Sequence, residues 1–325
     1  MRAVVYESLG ASHVLRLVYI DTPEPGPGEV RVRVHVSAVN PTDWKQRSGS
    51  TMATMPFPRM VPNQDGAGVI DAVGTGVDPG RVGERVWMLM AMVRHGLGTA
   101  EEFVCLPERH VVRLPDNASF DLGASLGVPA VTAAVALFGD GRLSGQTVLV
   151  AGGAGAVGHY AIELAKRDGA RVITTVSSAE KAELAEAAGA DVVVNYRDDD
   201  AAAAIRAAAP VGVERIVEVA LPQNLSLDLD VIRLRGTIVT YAGGGEEPQI
   251  PVRRLMTANL SLRFLLLYNV ADDVLNAAVR EVSSALNEGA LTELPVHRFS
   301  LADTAAAHDA VEGGAVGKVL IDVAD

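Results

Sequence analysis

Cysteine is almost missing from this chain. Among 325 residues there is one, Cys105. No disulfide can form within the chain, and metal sites built from several thiolates are excluded. A chain with so little cysteine suits a reducing compartment, so a cytoplasmic location is expected. Positive charge is also scarce. Lysine and arginine number 28 against 40 acids, a formal net charge of −12. Non-specific nucleic-acid binding needs basic stripes, so DNA is not an expected partner. Long apolar runs are absent as well. The longest candidate, "LRFLLLY" at 262–268, has the length of a strand, whereas a bilayer span needs about 20 residues. No membrane partner is expected, and the opening "MRAVVYESLG" carries no signal-peptide h-region.

What is present is apolar and glycine-rich. Hydrophobic residues make up 49% of the chain, enough for a sizeable core, and the length suits two domains. The first 120 residues read as β-rich, with no long helical period. Val30, Val32, Val34 and Val36 alternate with polar residues, the pattern of a strand with one buried face. From about 122 the texture changes. "SLGVPAVTAAVALFG" has helical spacing, and strand and helix patterns then alternate from "TVLVAGG" to "TIVTYAG", with "SLDLDVIRLRG" read as helical. That rhythm predicts βαβ units and a doubly wound parallel sheet, an α/β fold beside a β-rich domain. The expected boundaries are a β-rich domain over 1–121, a nucleotide-binding domain over 122–267, and a segment over 268–325 that returns to the first domain.

The densest motif is "VLVAGGAGAVGHYAIELAK" at 148–166. Gly153, Gly155 and Gly158 form G-x-G-x-x-G between a strand pattern and a helix pattern, the context of a dinucleotide fingerprint. Gly153 is expected to permit the tight turn. Gly155 would let a pyrophosphate approach the backbone, and Gly158 would let helix and strand pack closely. The phosphates would face free N–H groups at the helix start. A P-loop would need Lys followed by Ser or Thr after the last glycine; this chain has His159 and Tyr160 there.

The second strand pattern discriminates between dinucleotides. An NAD site usually ends that strand in Asp or Glu. Here "RVITTVSSAEK" ends in Ser177 and Ser178, with Lys181 one helical turn on. Hydroxyls and an ammonium attract a 2′-phosphate that a carboxylate would repel, so NADPH is the expected cofactor. Ser178 also fits a helix N-cap. Neither His95 nor His110 has a second ligand at metal spacing. The expected metal content is none, and the expected chemistry is zinc-free hydride transfer.

Together these segments resemble the medium-chain dehydrogenase/reductase superfamily, and within it the zinc-independent, ζ-crystallin-like quinone oxidoreductases. "NPTDWKQRSG" (40–49), "DGAGVIDAVGTGV" (65–77), "GVPAVTAAVAL" (127–137), "EVALPQNLSLDL" (218–229) and "GAVGKVLIDV" (314–323) carry the resemblance across nearly the whole chain. It implies a GroES-like domain with a Rossmann domain, NADPH in the cleft between them, and a homodimer or other homo-oligomer. By resemblance, Thr132 touches the nicotinamide end and Ala154, Gly155, Ala156 and Val157 hold the pyrophosphate. Ser177, Lys181 and Tyr196 surround the 2′-phosphate. Asn224, Tyr241, Ala242, Gly243, Phe264, Leu265 and Leu266 line the ribose and nicotinamide. Lys318 is a further cofactor contact, and Asn40 sits near the nicotinamide as a candidate catalytic residue.

One departure stands out. Many family members carry a tyrosine two residues before Arg-Ser-Gly, where this chain has Lys45. Lys45 is a candidate cationic donor to a developing enolate, with a solvent-facing lysine as the alternative. Asp65 is expected to hydrogen-bond a local turn. The expected function is NADPH-dependent reduction of quinones or α,β-unsaturated carbonyls. The alternatives are a trans-2-enoyl-thioester reductase and a non-catalytic NADPH-binding regulatory or RNA-binding protein. The apolar "NLSLRFLLLY" is expected to form an edge strand that pairs with a second copy.

Overall fold

The structure, a computed structural model, describes every residue except Arg94, Asp198, Asp199, Gly244, Gly245, Glu246 and Asp325. The chain forms two compact units, Met1–Val128 with Pro295–Asp325, and Pro129–Leu294.

The first unit is built on strand Glu29–Val39. It pairs antiparallel with Asp65–Val73, Phe103–Pro107 and Lys318–Asp322. The last of these brings the C-terminal segment back into the sheet, where it pairs in parallel with Val296–Ser300. Val30, Val32 and Val34 are fully buried, as the alternation requires. The strand ends at Asn40, and a helix, Pro41–Ser48, follows at once. That short helix lies inside the region read as β-rich with no long helical period. Its eight residues are too few to show an apolar period, but its ends are marked. Pro41 stands at the first turn, the Asp43 carboxylate accepts the Asn40 N–H at 2.6 Å, and Gly49 ends the helix at φ +87°.

The second unit carries a six-stranded sheet in which every pairing is parallel. In spatial order the strands are Val192–Asn195, Arg171–Val176, Thr147–Ala151, Val213–Glu218, Ile232–Thr240 and Ser261–Phe264. Numbered along the chain within the unit, this is 3-2-1-4-5-6, the Rossmann order. The order reverses beside Thr147–Ala151, so the glycine loop leaves the sheet at the switch point where such folds bind nucleotides.

Three boundaries differ from expectation. Helix Phe120–Phe138 runs through the junction between the units at Val128, so the change falls inside an element and not before it. The "VIRLRG" stretch is not helical throughout. The helix stops at Val231, because Ile232 pairs with Val213 and enters strand Ile232–Thr240. Helix Asp272–Asn287 belongs to the second unit, not to the returning segment. Leu275, Ala278, Val282, Ala285 and Leu286 are its buried face, and Arg167 ties Glu281 and Glu288 to the helix Ala156–Arg167. The return begins at Pro295. Helix Phe120–Phe138 is long and apolar enough to cross a membrane by composition, but it is largely buried in the protein, as a core helix is.

Candidate active site

Strand Thr147–Ala151 opens into the glycine loop, whose glycines differ in what a side chain there would meet. The left-handed residue of the turn is Gly152, at φ +71°, and not Gly153 as the motif suggested. Gly153 is required for a different cause: a Cβ there would lie 2.1 Å from Thr174 Oγ1. At Gly158 a Cβ would meet Gly152 O at 2.3 Å and Gly153 Cα at 2.8 Å, so this position seats the helix on the loop. A Cβ on Gly155 would meet nothing nearer than Gly152 O at 3.4 Å. The protein itself therefore does not need glycine at 155. Gly155 caps helix Ala156–Arg167, and the N–H groups of Ala156 and Val157 in the first turn have no carbonyl one turn back inside the helix. The result is a positive helix end above a position open to a ligand. Ala154, inside the loop, is buried.

The neighbouring strand Arg171–Val176 ends at the same edge. Ser178 caps helix Ala179–Ala187 by accepting the Lys181 N–H at 3.3 Å, as its position in the sequence indicated. Lys181 Nζ donates to Ser177 Oγ at 3.1 Å. Tyr196 follows the adjacent strand, its N–H on Val176 O at 3.1 Å and its side chain exposed. Ser177, Ser178 and Lys181 thus meet at the tip of one strand, and Tyr196 follows the end of its neighbour, a setting of ammonium and hydroxyl groups that suits an anion.

Strand Val213–Glu218 ends in a carboxyl group that sequence reasoning missed. Glu218 is buried. Its Oε1 accepts the Ala220 N–H and, at 3.0 Å, the Asn224 Nδ2 group. Asp228 is buried beside it, and burial followed by the Glu218 charge raises the Asp228 carboxyl above the usual carboxylate range. Tyr241 donates its N–H to Glu218 O at 3.2 Å, and burial raises its phenol. Ala242 O accepts from Thr240 Oγ1 at 3.3 Å, and Gly243 is exposed. Leu265 N–H bonds Thr240 O at 2.8 Å, while Phe264 and Leu266 are exposed. Thr132 is buried in helix Phe120–Phe138.

The first unit holds a buried polar cluster. Asn40 Nδ2 donates to Asp65 Oδ2 at 2.6 Å, and Lys318 Nζ donates to Asn40 Oδ1 at 2.9 Å across 278 residues of sequence. Asp65 accepts the Val128 N–H at 2.8 and 2.9 Å. Asp65 therefore does more than close a local turn. Burial pushes Asp65 up to about 6, with Lys318 opposing, and pushes Asp43 up to about 8. Burial lowers Lys318, and the charges of Asp65 and Asp43 oppose that. Lys45 does not join the cluster; its ammonium lies 5.8 Å from the centre of the Trp44 ring. Asp65 meets Asn40 and Val128, and Asp43 meets Gln64, only in the folded chain, because these partners lie 21 or more residues away. Burial pushes the Cys105 thiol up to about 12. Among the described residues no group of three His, Cys, Asp or Glu could hold a metal ion.

Comparison with known proteins agrees with this geometry. Residues 26–116 match the alcohol dehydrogenase GroES-like domain, and residues 156–284 match the family described as zinc-binding dehydrogenase. Rat (Rattus norvegicus) quinone oxidoreductase is 29% identical over 326 residues, covering 99% of this chain and 97% of that protein. Among solved structures, a mycobacterial quinone oxidoreductase is 31% identical with a TM-score of 0.86, covering 99% of both chains. A mycobacterial protein, Rv1454c, complexed with NADPH gives the same identity and TM-score over 99% of this chain and 100% of that one. A protein described as an NAD-dependent alcohol dehydrogenase has a TM-score of 0.88 at 29% identity, covering 100% of both. A GroES-like unit joined to a Rossmann unit with this loop defines a medium-chain dehydrogenase/reductase. Within that family the chain belongs to the ζ-crystallin-like quinone oxidoreductases.

Proposed function

We propose that the protein is an NADPH-dependent reductase that transfers hydride to quinones or α,β-unsaturated carbonyls without zinc. The observation that carries this reading is the tip of strand Arg171–Val176, where Lys181 Nζ sits on Ser177 Oγ beside Tyr196. An ammonium with hydroxyls at that place favours a 2′-phosphate, which distinguishes NADPH from NADH. The glycine loop suits the same cofactor: Gly155 is open where a pyrophosphate would rest, and Ala156 and Val157 begin the helix that it caps, where N–H groups lack carbonyl partners inside the helix.

When bound, NADPH supplies the hydride. The protein's residues bind and orient. Ala154, Gly155, Ala156 and Val157 hold the diphosphate, Ser177, Ser178, Lys181 and Tyr196 hold the 2′-phosphate, and Asn224, held by Glu218, presents its amide to the ribose. Thr132, Tyr241, Ala242, Gly243, Phe264, Leu265 and Leu266 belong to the nicotinamide half of the site. Asn40 donates a hydrogen bond to the oxygen on which charge develops. Single cysteine usage and the lack of a ligand cluster among the described residues support chemistry without zinc. The exposed edge strand Ser261–Phe264, with Phe264 and Leu266 solvent-facing, supports a homodimer.

NADPH consumption over a panel of benzoquinones, enones and a crotonyl thioester, with NADH as control, tests the proposal. Oxidation of NADPH by quinones or enones supports it. Turnover of the thioester alone would move the substrate class to enoyl thioesters.

A further inference from the structure

Lys318 was expected to contact the cofactor. In the structure it is only 2% exposed, as is Asn40, and Asp65 is fully buried. A buried ammonium loses its hydration and persists only with partners that justify the site. Among the described residues its hydrogen-bond partner is one atom, Asn40 Oδ1, at 2.9 Å. The other end of the same amide donates to Asp65 Oδ2 at 2.6 Å.

An amide between a cation and a carboxylate has one permitted orientation. Turned over, it would place its NH2 group against the ammonium and its oxygen against the carboxylate, two repulsive contacts in a dry site. The frame around it is rigid. Asp65 is pinned by the Val128 N–H, and Gly127 leaves room for it, since a Cβ there would lie 2.1 Å from Asp65 Oδ1. The Asn40 backbone is pinned in turn by Asp43, which also accepts the Gln64 N–H at 3.1 Å. Lys318 draws electron density from the amide oxygen, and this strengthens the N–H donors at the other end. One of those N–H groups goes to Asp65. The second has no partner among the described residues.

We propose that Lys318 and Asp65 are positioning residues, which together lock and polarise the Asn40 amide so that its remaining N–H is a fixed donor to the carbonyl oxygen of the substrate. The substrate class is a quinone or enone whose oxygen gains charge as hydride arrives. This inference rests on the reading of the protein as a carbonyl-directed reductase and replaces cofactor contact as the role of Lys318.

The test uses the full chain and the variants Lys318→Met, Asp65→Asn and the double variant. The double variant removes both charges together and provides a folded sample if a single variant leaves an unpaired buried charge. Three quantities are read: the NADPH Kd by nicotinamide fluorescence, the rate of hydride transfer to a benzoquinone at saturating NADPH, and the Asn40 side-chain NH2 resonances in protein labelled with 15N-asparagine. Expected for Lys318→Met are an NADPH Kd within about threefold of wild type and hydride transfer slowed by roughly tenfold to a hundredfold, less than the loss on deleting a whole donor. The two Asn40 NH2 protons should be widely separated in the wild type and draw together in every variant. An NADPH Kd raised more than tenfold with an unchanged saturating rate would overturn the proposal, as would Asn40 resonances unmoved by any variant. If the wild type reduces no quinone or enone, the functional reading fails by itself, and the resonances still decide whether the lock exists.

Discussion

Gly155 and Gly158 stand three residues apart and predict opposite outcomes on gaining one methyl group. At Gly158 the new Cβ would lie 2.3 Å from backbone, which cannot move without shifting helix or strand. Gly158→Ala should destabilise the protein by about 2 kcal/mol, seen as a lower midpoint in denaturant unfolding. Gly155 has φ −78° and no contact closer than 3.4 Å. Gly155→Ala should leave the unfolding midpoint unchanged and weaken NADPH binding at least tenfold, because the methyl occupies the space over the helix end. A third prediction concerns His308. Its Nε2 lies 3.0 Å from Asn63 Oδ1, and burial pushes it down to about 3 from an ordinary 6.5. Below pH 6.5 the unfolded chain takes a proton that the folded chain refuses until about pH 3, so its contribution to stability falls as pH falls through that window. The loss between pH 8 and pH 5 is roughly 2 kcal/mol. His308→Gln, which can still donate to Asn63, should flatten that part of the acid limb in thermal unfolding measured across pH. At this scale the sequence was legible where the chemistry was local. Gly158 and the Ser178 cap were read from spacing alone. The Asn40–Lys318 bond was not, since nothing local ties residues 278 positions apart.

At the scale of elements, short helices and strand ends were the least legible. Helix Pro41–Ser48 has a polar outer face and no apolar stripe, so periodicity could not reveal it, although Asn40, Pro41, Asp43 and Gly49 mark its ends. The residue that holds it is Arg47, fully buried. Arg47 reaches Gly10 O and Glu312, each at 2.9 Å, and so ties this helix to helix Thr304–Glu312 from the far end of the chain. Arg47→Ala would leave a cavity and an unpaired carbonyl, at a cost of about 3 kcal/mol. Urea unfolding followed by far-UV circular dichroism measures it, and a change under about 1 kcal/mol would show that the tie contributes little. Rossmann strands Thr147–Ala151 and Arg171–Val176, by contrast, were plain in the sequence. Both are largely apolar runs that lead into a helix, and parallel strands buried on both faces need such runs.

For the whole molecule, the order of elements foretold a β-rich unit, an α/β unit and a return, because the strand–helix rhythm survives in the sequence. The point of return was misplaced because helix Asp272–Asn287 shows an apolar face without showing which unit that face meets. Edge strand Ser261–Phe264 predicts self-association. Light scattering at micromolar concentration should report a dimer, and a monomer would contradict the edge-pairing proposal. The central claim is that the Ser177–Lys181 corner selects NADPH for reduction of an electrophilic carbonyl compound. The most direct measurement is the rate of cofactor oxidation with benzoquinone, NADPH against NADH, in the wild type and in Ser177→Asp. The account predicts at least tenfold faster turnover with NADPH at subsaturating cofactor and loss of that preference in the variant. Equal rates with both cofactors, or no quinone- or enone-dependent oxidation of either, would contradict it.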